Sequence, residues 1–213
     1  MARQRTSGVF LHLTSLPGPD GIGDLGAGAD AFLDFLDRAD QRYWQFCPLG
    51  PTSGVYGHSP YAADSAFAGN PLLVDLRDLA DRGYLDESDL DGPDGADPHS
   101  VEYEAVAAYK RDRLRQAHER FAASADADER DSFEAFRERE ASWLADYTLY
   151  AALKGIHEGA WTDWPAEFAH RDPDALAEAR EDHAEAVEYH AFVQWVFDEQ
   201  WQALRAAAAD RGI

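Results

Sequence analysis

The sequence predicts an α/β fold, and three features carry that reading. Gly8–Leu13 (GVFLHL) and Tyr43–Leu49 read as short buried strands with an amphipathic helix between them, a strand–helix–strand unit at the start of the chain. Each strand runs into a long loop rich in Gly and Pro. From Leu76 onward the patterning changes to long helical periodicities. A βαβ unit closes with a right-handed crossover. Such units build doubly wound sheets or (β/α)8 barrels, and in either the ligand meets the loops that follow the strand C-termini. The two loops should therefore lie side by side on that face.

The elements follow in order. Val9, Phe10, Leu11 and Leu13 make the first strand apolar, and Thr14, Ser15 and Pro17 stop it. Over Ala29–Ala39, Phe32, Phe35, Leu36 and Ala39 recur at helical spacing with Asp30, Asp34 and Asp37 opposite. The second strand is stopped by Pro48. Leu79–Leu85 predicts a short helix ended at Gly83, and 86–98 an acidic, Gly- and Pro-rich surface connection. Val101–Phe121 is helical with Val106, Tyr109, Leu114, Ala117 and Phe121 inward. Ser132–Lys154 is one helix, with Phe133, Phe136, Trp143, Leu144, Tyr147, Tyr150 and Ala151 on its apolar side. Trp161–Pro165 is a turn, because Pro165 ends any helix before it. Ala175–Ala209 is a last long helix, lined by Val193, Phe197, Trp201, Leu204 and Ala208 and stopped at Gly212. Ile213 would open the next strand. Two strands cannot make a buried parallel sheet, so the fold reads as unfinished.

The stretch Trp44–Asp75 (WQFCPLGPTSGVYGHSPYAADSAFAGNPLLVD) organises the rest. So long a loop in a compact domain is usually functional or disordered. Tyr56, Tyr61 and Phe67, with almost no charge around them, argue against disorder. Aromatic faces cover the C–H patches of a sugar and small polar side chains meet its hydroxyls, so the loop has the chemistry of a sugar or small-ligand surface.

Composition bounds the partners. The chain holds 213 residues, enough for one or two domains, and six Trp with eleven Phe supply a core. There are 41 acidic and 19 basic residues, a net charge of −22, with Lys110 and Lys154 the only lysines. The acids occur on every predicted helix, the pattern of a solvated surface suited to high salt. Nucleic acid is a poor partner for such a surface, since phosphate contacts need clustered Lys and Arg. Cys47 is the single cysteine, so no intrachain disulfide and no cysteine metal cluster can form; set between Phe46 and Pro48, it reads as a small buried side chain. The first residues are basic but lack a long apolar segment and a cleavage site, and no run reaches membrane-spanning length. A soluble cytoplasmic protein without cofactor or metal is expected.

Several patterns tempt and fail. Gly21, Gly23 and Gly26 follow a strand at G-x-G-x-x-G spacing, but Pro17, Pro19 and Asp20 lie in the turn and no acidic residue closes a second strand at the distance a dinucleotide site needs. His183 and His190 are seven apart, not the four that put two ligands on one helix face. Ser7, Ser15, Ser53 and Ser65 lack a nucleophile elbow. Asp20, Asp24, Asp64 and Asp75 lie in or beside the loops, where turn and cap roles outweigh a glycosidase-like carboxylate pair.

Together these stretches resemble the N-terminal part of the 4-alpha-glucanotransferases (amylomaltases, or disproportionating enzymes). The segments that carry the resemblance are SGVFLHLTSLPGPDGIGDLG, WQFCPLGPTSGVYGHSPYAADSAFAGNPLLVDL, AAYKRDRL, WLADYTLYAALK, WTDWP and FVQWVFDEQWQALRAAAADRGI, in family order over nearly the whole chain. The resemblance implies an incomplete TIM barrel, its first βα units, with large and mostly helical insertions. Residues 1–75 would be the start of the barrel with its cleft loops, 76–188 a helical insertion, and 189–213 a helix returning to the barrel. It implies transfer of α-1,4-glucan segments between maltooligosaccharides or starch chains with retention, through a carboxylate nucleophile, a second carboxylate as acid and base, and a third acid. All three belong to later strands, so no residue here matches a catalytic carboxylate. The isolated chain is expected to be inactive, an N-terminal fragment whose missing C-terminal part is one possible partner; the alternative is a non-catalytic glucan-binding or split-enzyme subunit.

Substrate binding is what the resemblance carries over. Tyr61 of the SPY motif matches the tyrosine that packs on the sugar beside the scissile bond, and Ser59 the serine next to it in the glucan cleft. His58 stands where many relatives carry Asp, and no contact is carried over from it. His12, after the first strand, reads equally as a loop histidine or a cleft residue.

Overall fold

The computed structural model describes residues 5–93, 95, 97, 99–157 and 159–213. Residues 1–4 of the basic N-terminus, and 94, 96 and 98 of the expected connection, lie outside the described residues.

The opening βαβ unit forms as the periodicity predicts. Strand β1 (Gly8–Phe10) pairs in parallel with β2 (Tyr43–Gln45), with Val9 opposite Trp44, and helix α1 (Ala27–Arg38) joins them. Both strands are shorter than predicted, although Leu11 N–H still reaches the Gln45 carbonyl at 2.9 Å. Alternation sets the two faces. Val9 and Trp44 turn inward, where Trp44 packs edge-on to Phe32 and Phe46, and Phe46 edge-on to Trp201. Phe10 and Tyr43 point the other way and are 59% and 62% exposed. The buried stripe of α1 is Ala29, Leu33 and Leu36, not the expected one through Phe35, which is half exposed. Both stripes satisfy the helical period, and the wider aromatic side stacks Phe35 on Phe32 instead.

Helix α2 (Leu76–Asp81) begins at the Asp75 cap, three residues before the expected Leu79, and Gly83 follows it with φ 82°. Helix α3 (Tyr103–Ser124) buries Val106, Leu114, Ala117 and Phe121 as expected, and also Lys110. The predicted helix 132–154 is two: α4 (Ala127–Arg139) and α5 (Ala141–Lys154), joined at Glu140 with φ −98° and ψ 9°. Unbroken, the stripe through Phe133, Phe136 and Leu144 would carry Glu140 inward. The break leaves its carboxylate accepting from Trp143 Nε1 at 2.7 Å and Arg139 Nε at 2.9 Å. The inward side of α5 becomes Leu144, Thr148, Leu149, Ala152 and Leu153. Trp164 is buried after a 3-10 turn at Trp161–Asp163, and α6 (Ala166–Ala169) follows Pro165. The predicted helix 175–209 also divides, into α7 (Pro173–Asp182) and α8 (Ala184–Asp210) around His183. Asp172 caps α7, its carboxylate accepting from Asp174 and Ala175 N–H, and Pro173 supplies the preset φ of a first helical position.

Two compact units result, one of residues 1–124 and 196–213, the other of 125–195. In the first, Leu13, Leu33, Leu36, Leu73, Leu76, Leu79 and Leu114 form the core. In the second, Leu149, Leu153, Trp164 and Ala179 cluster, and Phe133 meets Trp195. No helix of the described residues is long and apolar enough to cross a membrane. A net charge of −22 self-repels, and raising KCl from 0.1 to 1 M shortens the screening length from about 10 to about 3 Å. Differential scanning calorimetry across that range should show a rising melting temperature; a flat or falling one would remove the salt-adapted reading of the surface.

Candidate glucan-contacting loop

The loop after β2 is closed at its neck. Asn70 N–H donates to the Leu49 carbonyl at 2.8 Å, Asn70 Nδ2 to Thr52 Oγ1 at 3.2 Å, and Asp64 N–H to the Pro51 carbonyl at 3.1 Å. Asn70 Oδ1 also caps the turn Pro71–Leu73 by accepting from Leu72 N–H. Gly69 is required there by close approach: a Cβ would lie 2.1 Å from the Phe197 ring of α8. The base, Ala68 to Asn70, is buried, whereas the tip presents Val55, Tyr56, Tyr61 and Phe67, each more than 60% exposed.

Tyr61 and Ser59 lie together at this tip. Ser59 Oγ accepts from Tyr61 N–H at 3.4 Å, which leaves the hydroxyl proton to donate outward. The Tyr61 hydroxyl lies 3.7 Å from Cys47 Sγ at the end of β2, and this contact holds the phenol above its usual range. Cys47 is thus partly exposed beneath the tyrosine rather than buried as expected. The tip turns at Gly57 and His58, both at positive φ (61° and 53°). His58 stacks on Tyr103 of α3 with centroids 4.6 Å apart, and the Tyr103 hydroxyl meets Thr14 Oγ1 at 3.5 Å. Leu25 N–H reaches the Leu73 carbonyl at 2.9 Å. The loops after β1 and β2 therefore do lie side by side. Half-buried His12 stands between β1 and the first loop; burial lowers its imidazole below the ordinary range, keeping it neutral near pH 7.

Beneath both loops sits a charge cluster that periodicity did not reveal. Lys110 Nζ, fully buried, donates to the Val74 carbonyl at 2.7 Å and Asp24 Oδ2 at 3.0 Å, with Asp20 Oδ2 3.8 Å away. Arg77 Nη1 donates to Asp20 Oδ1 at 2.9 Å. Asp75 Oδ1 accepts from Arg77 N–H at 3.0 Å, and the Gln200 side chain of α8 brackets the Asp75 peptide at 2.8 and 3.0 Å. Burial, reinforced by the Asp24 charge, pushes the Asp75 carboxyl up to about 6. Asp20, Asp24 and Asp75 are thus pairing and capping groups, not an acid–base pair open to substrate. The start of α1 faces carboxylates too: Asp24 Oδ1 accepts from Gly26 N–H at 3.1 Å, and a Cβ on Gly26 would meet Asp75 Oδ2 at 2.4 Å. That environment repels a phosphate and disposes of the dinucleotide reading. Among the described residues no group of three or more His, Cys, Asp or Glu could hold a metal.

An exposed aromatic loop on the ligand face of a parallel βαβ unit defines a candidate carbohydrate surface. Residues 11–213 match the family described as 4-alpha-glucanotransferase, and the chain belongs to that family. It is 50% identical to the 4-alpha-glucanotransferase of Thermus thermophilus over 214 residues, covering 100% of this chain and 42% of that protein. The Synechocystis 4-alpha-glucanotransferase is 43% identical, with the same shares covered. Among solved structures, the amylomaltase from Streptococcus agalactiae in complex with acarbose superposes with a TM-score of 0.92 at 36% identity, covering 99% of this chain and 42% of that one. The chain thus spans under half the length of these relatives.

Proposed function

We propose that this chain builds one wall of the α-glucan cleft of a 4-alpha-glucanotransferase, with Tyr61 and Ser59 as sugar contacts. The observation that carries the reading is the pairing of an exposed tip with a fixed base: Tyr61 is 77% exposed, while Asn70, Thr52 and Lys110 hold the loop from beneath. The Tyr61 ring lies against a pyranose face and the Ser59 hydroxyl joins the sugar's hydrogen-bond network. The reaction is transfer of α-1,4-glucan segments between maltooligosaccharides or starch chains, by the retaining two-carboxylate route. The nucleophile and acid–base carboxylates come from further polypeptide; the buried acids beneath the loop, Asp20, Asp24 and Asp75, are spent on Lys110, Arg77 and helix caps. Residues 1–75 open a TIM barrel, 76–188 form a helical insertion and 189–213 return to the barrel. The exposed Phe10 and Tyr43 support this: parallel sheets are covered on both faces, and further strands would cover that side.

Two measurements test the reading. Incubated with maltotriose, the 213-residue chain should release no glucose; glucose with longer oligosaccharides would place the carboxylates within these residues. In a protein that carries the family's remaining strands, Tyr61→Ala should lower turnover about tenfold, the loss of roughly 1.4 kcal/mol in the transition state, with the melting temperature unchanged. A parallel fall in melting temperature and activity would make Tyr61 structural.

A further inference from the structure

We propose that His58 is a positioning residue: with Glu104 it forms a clasp that fixes the tip of the loop to the first turn of α3 and so aims Ser59 and Tyr61. The consequence for sugar rests on the cleft reading above, whereas the clasp rests on geometry alone.

Four observations carry it. His58 holds φ 53°, a backbone conformation most side chains avoid and that persists where surrounding contacts impose it. Its side chain is only 9% exposed, although Val55 and Tyr56 beside it are 86% and 63% exposed. Its ring is engaged on three sides: Nδ1 lies 3.3 Å from Thr52 Oγ1, Nε2 lies 3.3 Å from Glu104 Oε1, and the face stacks on Tyr103 at an interplanar angle of 13°. Finally, a Cβ at position 54 would stand 2.2 Å from Glu104 Oε1, so glycine at 54 is what lets the carboxylate reach the imidazole. Glu104 itself is 84% exposed, so burial does not hold it there.

The hydrogen-bond directions are consistent. Thr52 Oγ1 accepts from Asn70 Nδ2 and has one proton to give, which suits an unprotonated Nδ1 and an Nε2–H donating to Glu104. The tip hangs from that ring. His58 and Tyr56 N–H both donate to the Ser53 carbonyl, Ser59 N–H to Tyr56, and Ala62 N–H to Ser59. Around the imidazole stand Glu104 and Tyr103 from α3 and Thr52 from its own loop.

Amide hydrogen exchange on the complete 213-residue chain, without sugar, tests this. Glu104→Ala should speed exchange at Tyr56, His58 and Ser59 about tenfold, the worth of one such hydrogen bond; His58→Ala, which also gives up Thr52 and Tyr103, should do so at least as much, and the double variant should match His58→Ala. The α1 amides should be unchanged. Glu104→Gln, which keeps an acceptor for His58 Nε2, should restore most of the protection that Glu104→Ala loses. If Glu104→Ala leaves the loop within about twofold, or if the two alanine effects simply add, the clasp is refuted and His58 only packs on Tyr103. With no sugar present, failure here leaves the cleft reading intact, and a failed maltotriose or Tyr61 test leaves the clasp intact.

Discussion

Lys110→Met is expected to lower the unfolding free energy by about 3–5 kcal/mol, the usual cost of removing one partner from a buried ion pair. Methionine fills much the same volume, so the loss is electrostatic rather than a cavity. Lys110 Nζ is the donor for Asp24 Oδ2 and for the Val74 carbonyl, and it faces Asp20. Without it, two carboxylates that are 0% and 4% exposed face each other, with only Arg77 bonded to Asp20. The loop after β1 and the exit of the loop after β2 then lose their shared anchor. For a chain of this size the midpoint should fall by roughly 10 °C. Lys154→Met is the matched control, since it removes the same charge from a side chain that lies over the Tyr150 ring; its effect should stay within about 0.5 kcal/mol. Calorimetry of the two variants side by side decides the matter. Equal midpoints would mean that the ion pairs contribute nothing net.

What the sequence made legible was local. The strand–helix–strand start follows from periodicities of 2 and 3.6, and the exposed tip of the SPY loop follows from residue types that cannot all be buried. Two readings failed because a local signal outranked a quieter one. The stripe Phe133–Phe136–Leu144 hid the break at Glu140, although a charge at the inward position was its sign. The stripe of α8 through Val193, Phe197, Trp201 and Leu204 likewise hid the break at His183 between α7 and α8. The charge cluster was not readable from periodicity. Helical spacing puts position 110 inward, yet Lys is ordinarily excluded from a core; what admits it is Asp24 and the Val74 carbonyl, 86 and 36 residues away. The only sequence-level hint was that a chain whose cations are almost all arginine keeps a lysine there, where one compact ammonium must serve several oxygens. The same holds for Gly69, whose need for hydrogen at Cα is dictated by Phe197 far along the chain.

The pH response should expose the cost of Asp75. Its carboxyl rises from 3.8 to about 6 in the folded chain, first through burial and then through the Asp24 charge, against the pull of Arg77 and Lys110. A raised pKa means that the folded state binds the proton more tightly than the unfolded one. The group's favourable contribution is therefore complete below pH 3.8 and disappears as pH climbs through about 6. Above that, the ionised carboxylate costs about 2–3 kcal/mol. Asp89 and Glu140 work in the opposite sense, since hydrogen bonds hold both below the ordinary carboxylate range; their contributions persist at neutral pH and are lost only in stronger acid. Between pH 7 and 5 acidification stabilises the chain through Asp75 and opposes that through His12, whose imidazole burial holds low. Asp75→Asn separates this from general relief of the −22 charge, which the variant shares almost unchanged. Asparagine caps α2 as well as aspartate does, and it carries no charge to desolvate. Urea titrations should find Asp75→Asn more stable than the unaltered chain at pH 8 by about 2 kcal/mol, with the difference roughly halved at pH 5 and closed below pH 3.8. A difference that is constant with pH, or a less stable variant at pH 8, would show that Lys110 and Arg77 already repay the burial of that charge.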